Sequence, residues 1–151
     1  MRLGFLKKLT GRGRAAATDG PEPGNTGAVI DTPGAPDPID LARLGELKQV
    51  LPEDAVRTLV QTFLSETEAE LPVPPIAAED TAATARVVHK IAGSAAVLGA
   101  HRFHAALGTA EAALRENQVA LSEAGLEEAH RIWAITKARL EALDIDAIQA
   151  P

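Results

Sequence analysis

Apolar residues recur every three or four positions from Ile39 to near the C-terminal end of the chain, which is the spacing of one face of an α-helix. The predicted helices cover residues 40–51, 52–71, 80–98, 101–117 and a last stretch that reaches Leu143. No stretch shows the strict alternation of a β-strand. Four long helices with short connections predict an all-α fold, an antiparallel four-helix bundle with a short additional N-terminal helix.

Several residues mark the predicted helix ends. Asp40 can cap the first helix, and Pro52 suits the first turn of the second because proline lacks only an N–H that has no partner there. Gly99 is placed to end the third helix as a C-terminal glycine cap. The start of the fifth helix is ambiguous, because Ser122 and Gly125 interrupt its pattern.

The first 38 residues do not share the helical pattern. Residues 1–14 carry basic side chains and no acid, with Leu3, Phe5, Leu6 and Leu9 between them. This segment is either a basic amphipathic surface for anionic lipid or a partner, or a frayed terminus. Residues 15–38 hold five of the ten prolines and predict a disordered linker. The chain therefore divides into 1–38 and a helical domain over 39–148.

Composition and charge narrow the classes of function. With 15 Lys+Arg against 21 Asp+Glu, the net charge of -6 argues against nucleic-acid binding. The absence of cysteine excludes disulfides, thiolate metal sites and cysteine nucleophiles, and it fits a reducing compartment. No apolar run approaches the roughly 20 residues of a membrane-spanning helix. We therefore expect a cytoplasmic protein.

The third helix carries His89 on the side that the large apolar residues avoid. Helical residues turn by about 100° each, so Val87, Ile91, Ala95 and Leu98 are predicted to form a core stripe about 160–240° from His89. The residues predicted near His89 are mostly small, with cations further round: Ala85, Gly93, Ala96, Arg86, Val97 and Lys90. The imidazole is thus expected on an open, small-residue face.

Such a histidine is either an ordinary surface residue, a hydrogen-bonded buried one, or a reactive group. The angular position disfavours burial, and a surface histidine is usually surrounded by longer polar residues. Gly93 costs about 1 kcal/mol against alanine in a helix interior, which suggests that a side chain there would obstruct a partner. Neutral imidazole is a nucleophile near neutral pH, and Lys90 or Arg86 could offset charge on a transferred phosphoryl group.

The stretch from His89 to Ala95, His-Lys-Ile-Ala-Gly-Ser-Ala, followed by Leu98-Gly99-Ala100, resembles the histidine-containing phosphotransfer (HPt) domain family. The family pattern is approximately H-x-L-K-G-S-[SA]-x-x-[LIV]-G. The resemblance also includes residues on the following helix: Phe103, Leu107, Glu111 and Leu114. This chain departs from the pattern at Ala92, where the family often has lysine.

The resemblance implies that His89 accepts a phosphoryl group from an aspartate of one receiver domain and passes it to another. Ser94 would lie near the phosphoryl group or in helix packing, supported by Lys90 or Arg86. The expected contact surface for the receiver comprises Ala85, Gly93, Ala96 and Val97. No cofactor of its own is implied, since the magnesium belongs to the receiver. The protein would be a phosphorelay intermediate without an ATP site or kinase activity, and we expect a monomer.

Two other interpretations stay open from the residues. The bundle could bind a receiver or another signalling protein as a scaffold, with His89 incidental, and the departure at Ala92 is consistent with this. His101 and His104 have a spacing that can bind a metal, but no third ligand is evident although Glu111 follows two turns later. We interpret them as ordinary residues of a helix start and predict no metal site.

Overall fold

A computed structural model describes residues 34–151 of the chain. Its helices are α1 (Leu41–Val50), α2 (Glu53–Glu70), α3 (Thr81–Val97), α4 (His101–Arg115) and α5 (Val119–Glu141), with a short 3₁₀ helix at Ala78–Asp80. Within residues 34–151 there is no strand, so the predicted all-α fold with a short first helix is confirmed. The basic segment 1–14 and linker residues 15–33 lie outside the described residues.

The long helices are arranged antiparallel in chain order. At one end of α2, the carboxylate of Glu68 accepts hydrogen bonds from Trp133 and Lys137 of α5. At the other end, Arg57 pairs with Asp146, which follows α5. Residue numbers therefore fall along α2 as they rise along α5, and the last long helix closes the bundle against the first.

Three aromatic side chains meet in the centre of the bundle, one from each of α2, α4 and α5. The centroid of the Phe103 ring lies 5.1 Å from the ring centroid of Trp133 and 6.3 Å from that of Phe63. Trp133 is buried, and its indole N–H donates to Glu68. Aromatic residues are scarce in this chain, and these three lie together where helix stripes converge.

The structure resolves the start of the fifth helix, which the sequence pattern left ambiguous. It starts at Val119 and contains both Ser122 and Gly125, which are buried. The Ser122 hydroxyl donates to the carbonyl of Val119, so its polarity is satisfied within the helix. A Cβ at Gly125 would lie 3.0 Å from the Cα of Ala110, so the glycine lets α5 approach α4 closely. Ser122 and Gly125 therefore interrupt the apolar pattern without interrupting the helix, and Gly125 lies where α5 packs against α4.

The core face of α3 differs from the predicted one. Val88 is fully buried, and Ala85 and Ala92 are buried as well, whereas Val87 is only half-buried. The face that points inward is therefore rotated by about 70° from the predicted stripe towards the side of Ala85 and Ala92. The predicted stripe, placed opposite His89 by helical angle, is confirmed at three of its four positions and wrong at Val87.

Backbone hydrogen bonds at Gly99 join the end of α3 to the start of α1. Gly99 has a φ of +74°, and the next N–H, that of Ala100, donates to Ala95 at 2.9 Å. The Gly99 carbonyl accepts a 2.9 Å hydrogen bond from the N–H of Asp40. The side chain of Asp40 caps α1 by accepting from the N–H of Ala42. One glycine turn thus ends the third helix and fixes the beginning of the first.

The chain entering α1 is also tied to α5. The guanidinium of Arg139 donates to both carboxylate oxygens of Asp37, at 2.7 to 3.1 Å. This hydrogen bond holds the pKa of Asp37 below its ordinary value. On α1, the ammonium of Lys48 donates to the carbonyls of Ile145 and Ile148, which follow α5, both at 2.8 Å. Side-chain hydrogen bonds therefore tie the entry to α1 to α5, and α1 itself to the segment that follows α5.

We expect Gly99→Ala to lower the free energy of unfolding. The left-handed backbone alone costs an L-residue about 1–2 kcal/mol. The new Cβ would also lie 3.0 Å from the Cβ of Asp40 and 3.1 Å from that of Arg43, which adds to the loss. Urea denaturation followed by circular dichroism measures the difference. Gly108→Ala is the matched control, because Gly108 is helical and a Cβ added there would have no atom within 4 Å; it should gain up to about 1 kcal/mol. Equal effects at both positions would contradict this account.

We expect Asp37→Asn to reduce the free energy of unfolding near neutral pH by up to about 1 kcal/mol, the range of a partly exposed ion pair. Because folding lowers the pKa of Asp37, the pair stabilises above the unfolded pKa of about 3.9 and loses its effect as pH falls through the lower folded value. The difference from wild type should therefore shrink below about pH 4 in denaturation curves measured across pH. Glu127→Gln, at an exposed position of α5, is the control and should change the free energy of unfolding less than Asp37→Asn. A constant difference at all pH values would exclude the ionic contribution.

Candidate functional site

His89 lies where α3 and α4 meet, with a partner on the opposite helix. Its Nδ1 is 2.9 Å from Oε1 of Glu111 on α4. The histidine side chain is 69% exposed, while that of Glu111 is only 14% exposed. A mostly buried carboxylate thus holds one edge of an imidazole whose remaining surface faces outward.

The antiparallel packing of α3 and α4 brings these two groups together. One turn after His89, the carbonyl of Ala92 accepts a 2.9 Å hydrogen bond from Nδ1 of His104. The contacts therefore pair a later residue of α3 with an earlier residue of α4. Ala85 and Ala92, on either side of His89 along α3, are both buried and short. Their small size lets the helices approach closely enough for a direct hydrogen bond between His89 and Glu111.

Glu111 is also bound to a cation on its own helix. Arg115, one turn later, donates from Nε at 2.8 Å and from Nη2 at 2.6 Å to Oε1 of Glu111. This is the same oxygen that contacts His89. The carboxylate charge is therefore shared between an arginine and the imidazole, in a row of three side chains.

The partner of Nδ1 decides which ring nitrogen of His89 can react. An ionised carboxylate only accepts hydrogen bonds, so Nδ1 carries the hydrogen in the contact with Glu111. In the neutral ring this leaves the lone pair on Nε2. The arrangement presents an oriented nitrogen nucleophile at the protein surface.

The face around His89 is open, but not over all the predicted residues. Gly93, Ala96 and Val97 are exposed, and a Cβ at Gly93 would have no atom within 4 Å. Ala85 is only 4% exposed and belongs to the core, so its predicted place on the exposed face is wrong. The rotation of α3 turns Ala85 inward and brings His89 to the border with α4. The open surface therefore continues from His89 towards Gly93 and Val97.

The two predicted cations have different surroundings. The ammonium of Lys90 lies 3.0 Å from one carboxylate oxygen of Glu70 and 3.6 Å from Glu66, both on α2. The hydrogen bond to Glu70 raises the pKa of Lys90. Arg86 is exposed and has no ion pair within residues 34–151. Lys90 thus joins α3 to α2, on the side away from Glu111.

Ser94 is half-buried and lies on the α2 side of α3. Its Oγ is 3.4 Å from the carbonyl of Lys90, a contact within the helix. With Val97, it lines a largely apolar groove of about 500 Å³ between α2 and α3. Helical geometry places Ser94 about 140° around α3 from His89. The hydroxyl therefore faces this groove, away from the imidazole.

The other histidines have structural contacts. His101 lies 3.2 Å from Asp40, His104 contacts Ala92, and His130 lies 2.9 Å from the carbonyl of Pro72. Among residues 34–151, no three His, Cys, Asp or Glu side chains form a cluster that could hold a metal ion. In the same part of the chain, no helix has the length and apolar character needed to cross a bilayer.

Sequence reasoning did not assign Glu111 or Arg115 to the site. Glu111 was noted only within the family resemblance and as a remote metal ligand. The available signal was the spacing of four between an acid and a base on the fourth helix, which predicts an ion pair on one face. That spacing does not show which neighbouring helix the pair contacts. Its position beside His89 depends on the register between α3 and α4.

Comparison with protein-family models matches residues 42–150 of the chain to the Hpt domain. Comparisons with curated proteins and with solved structures give no match. Hpt domains carry phosphoryl groups on histidine in phosphorelays, interact with receiver domains and are not kinases. The match covers more than two thirds of the chain and extends from α1 through α5. The chain therefore belongs to the Hpt domain family.

Proposed function

We propose that this protein accepts a phosphoryl group on Nε2 of His89 from the phosphorylated aspartate of one receiver domain and transfers it to another receiver. The observation that carries the proposal is the 2.9 Å contact between Nδ1 of His89 and Glu111 beside an otherwise exposed ring. It leaves Nε2 as the nucleophilic nitrogen and fixes the plane of the imidazole. A surface histidine without a role would not require a mostly buried carboxylate as its partner.

The proposed step requires little of this chain beyond position and charge. The lone pair of Nε2 on His89 attacks the phosphorus of the aspartyl phosphate, and an N–P bond forms. The P–O bond to the aspartate breaks, and the carboxylate leaves with the electron pair. The hydrogen on Nδ1 stays in place. Reversal of the same step passes the phosphoryl group to the next receiver.

Glu111 supports this step in two ways. As Nε2 gives its lone pair to phosphorus, positive charge develops on the ring and strengthens the hydrogen bond from Nδ1 to the carboxylate. The contact also restricts rotation of an exposed side chain, so that less entropy is lost when the receiver docks. The low exposure of Glu111 favours both effects, because water competes less for its oxygen.

The surface beside His89 suits the approach of another folded domain. Gly93 lies in the interior of α3, where glycine costs about 1 kcal/mol of stability relative to alanine. No close packing requires it, because an added Cβ would have no atom within 4 Å. Because Gly93 and Ala96 are short, neither of them blocks access to the imidazole. A receiver can then bring its aspartate and its magnesium ion to Nε2. We expect a monomer acting in the cytoplasm, since a dimer across this face would cover His89.

A scaffold without phosphoryl transfer is the second candidate. It is favoured by the surroundings of Ala92, which is apolar and buried where related sequences often carry lysine. In addition, the ammonium of Lys90 is engaged by Glu70 on the opposite side of α3. In this alternative the open face of His89 and Gly93 binds a receiver and keeps it from other partners.

Replacing His89 by glutamine should abolish phosphoryl transfer while leaving the fold intact, because the side chain is exposed. The purified protein is incubated with a ³²P-phosphorylated receiver and magnesium, and acid-labile label is measured on the bundle. Wild type should become labelled, and His89→Gln should not. His101→Gln, which changes another exposed histidine, should be labelled like wild type.

Equal labelling of wild type and His89→Gln would exclude His89 as the acceptor. Stable binding of several phosphorylated receivers without any label would favour the scaffold. Circular dichroism of each variant separates loss of transfer from loss of fold.

Glu111→Gln should slow phosphoryl transfer by about tenfold or more, equivalent to about 1.4 kcal/mol of transition-state stabilisation. Glutamine has nearly the same shape but lacks the charge that stabilises the imidazolium, and its amide can donate to Nδ1 and favour the wrong tautomer. Single-turnover transfer from a phosphorylated receiver gives the rate, and ¹⁵N NMR of the imidazole gives the tautomer.

Glu116→Gln is the matched control, because Glu116 follows α4 and its side chain bonds to Gln118 rather than to His89. It should leave both the rate and the tautomer unchanged. If Glu111→Gln keeps the wild-type rate and the hydrogen on Nδ1, the proposed role of the carboxylate is wrong.

A further inference from the structure

Phosphorylation would place a dianionic group at the edge of the seam between α3 and α4, close to the carboxylate of Glu111. Like charges at this separation repel, so the phosphorylated form requires a cation. Ala92 supplies none, and Lys90 is turned to α2 by Glu70 and Glu66. The charge must come from Arg86, which is exposed one turn before His89, from a side chain of α4 or from the partner.

Arg115 is the cation that the hydrogen bonds of the seam link to the imidazole through Glu111. Its Nη2 and the Nδ1 of His89 lie 2.6 Å and 2.9 Å from the same oxygen of Glu111, so the two nitrogens are within two hydrogen-bond lengths of each other. Nδ1 and Nε2 belong to one five-membered ring. A phosphoryl group on Nε2 would therefore lie within reach of the guanidinium of Arg115.

The direction of the side chains supports this contact. In a helix, side chains lean towards the N-terminus, so His89 covers the turn that contains Ala85 and Arg86. Because α4 runs antiparallel to α3, the residue one turn after Glu111 lies beside that same turn. Arg115 and the side chain of His89 thus lie towards the same end of the seam. Ala85 is short and buried, so it adds no bulk between them.

The guanidinium of Arg115 has capacity for a second anion. It has five N–H donors, of which two engage Glu111. Its side chain is 60% exposed, so its remaining donors are open to a second anion. Arginine matches phosphoryl oxygens well because its donors form a planar fork.

We propose that Arg115 binds the phosphoryl oxygens of phosphorylated His89 and supplies the positive charge that Ala92 cannot. This rests on the proposed function, since it assumes phosphorylation on Nε2 of His89. Before transfer, Arg115 neutralises Glu111. After transfer, the same guanidinium bridges the carboxylate and the phosphoryl group, so Glu111 can remain on Nδ1 without repelling the new anion.

The test uses phosphoramidate as a chemical phosphoryl donor, so that no receiver is needed. Nε2 attacks its phosphorus, the N–P bond to histidine forms, and ammonia leaves as the P–N bond of the reagent breaks. The ³¹P resonance of phosphorylated His89 is identified as the one missing in His89→Gln. Its chemical shift is then followed against pH to find the midpoint of the last phosphoryl ionisation.

A nearby cation favours the dianion, so Arg115→Ala should raise this midpoint, by about half a pH unit for a partly exposed pair. Arg115→Lys keeps the charge and should stay closer to wild type. Arg131→Ala is the matched control, because Arg131 also forms an exposed ion pair with an acid on its own helix, Glu128. It should not move the midpoint.

An unchanged midpoint in Arg115→Ala, or an equal rise in Arg115→Lys, would overturn the proposal. A purely structural role for Arg115 would change thermal stability without moving the phosphorus signal. The proposed function is tested separately by transfer between wild type and receivers. If Arg115→Ala has an unchanged midpoint while wild type exchanges phosphoryl groups with receivers, only the role of Arg115 fails. If wild type exchanges with no receiver, the proposed function fails.

Discussion

The close packing of α3 against α4 is the constraint on which the candidate site depends. α3 packs far more extensively on α4 than on α2, and the residues it buries include Ala85, Ala92 and Ala95. Short side chains allow this approach, and only at short range can Glu111 hold His89 directly. On the opposite side, α2 and α3 are separated by a groove, and the ion pairs of Lys90 cross between them. The helix is thus supported closely on the side that orients the imidazole.

Much of the architecture follows from local sequence. The apolar spacing, the cap at Asp40 and the left-handed turn at Gly99 act within a few residues, so the helices and most of their ends could be predicted. The exposure of His89 and the open space at Gly93 also follow from helical angles, since these need only one helix. The aromatic residues were too few to define a core by themselves.

The site itself depends on contacts between helices, which local patterns do not determine. The stripe on α3 was placed opposite His89, so the burial of Ala85 and Ala92 on the side facing α4 was not predicted. Lys90 lay on the predicted exposed face, yet its charge is directed by acids on α2. In the sequence, Glu111 and Arg115 have the four-residue spacing of an ordinary ion pair within one helix. Their place beside His89 follows only from the register of two antiparallel helices.

The turn at Gly99 has a consequence for how this domain can be moved into other proteins. Its carbonyl holds the N–H of Asp40, and Asp37 is bound in turn by Arg139 of α5. A chimaera whose junction falls after Asp40 would release the end of the helix that bears His89, even though every long helix was kept. The portable unit therefore begins at Asp37. A chimaera that keeps this boundary includes both His89 and the hydrogen bond between Gly99 and Asp40 at the end of its helix.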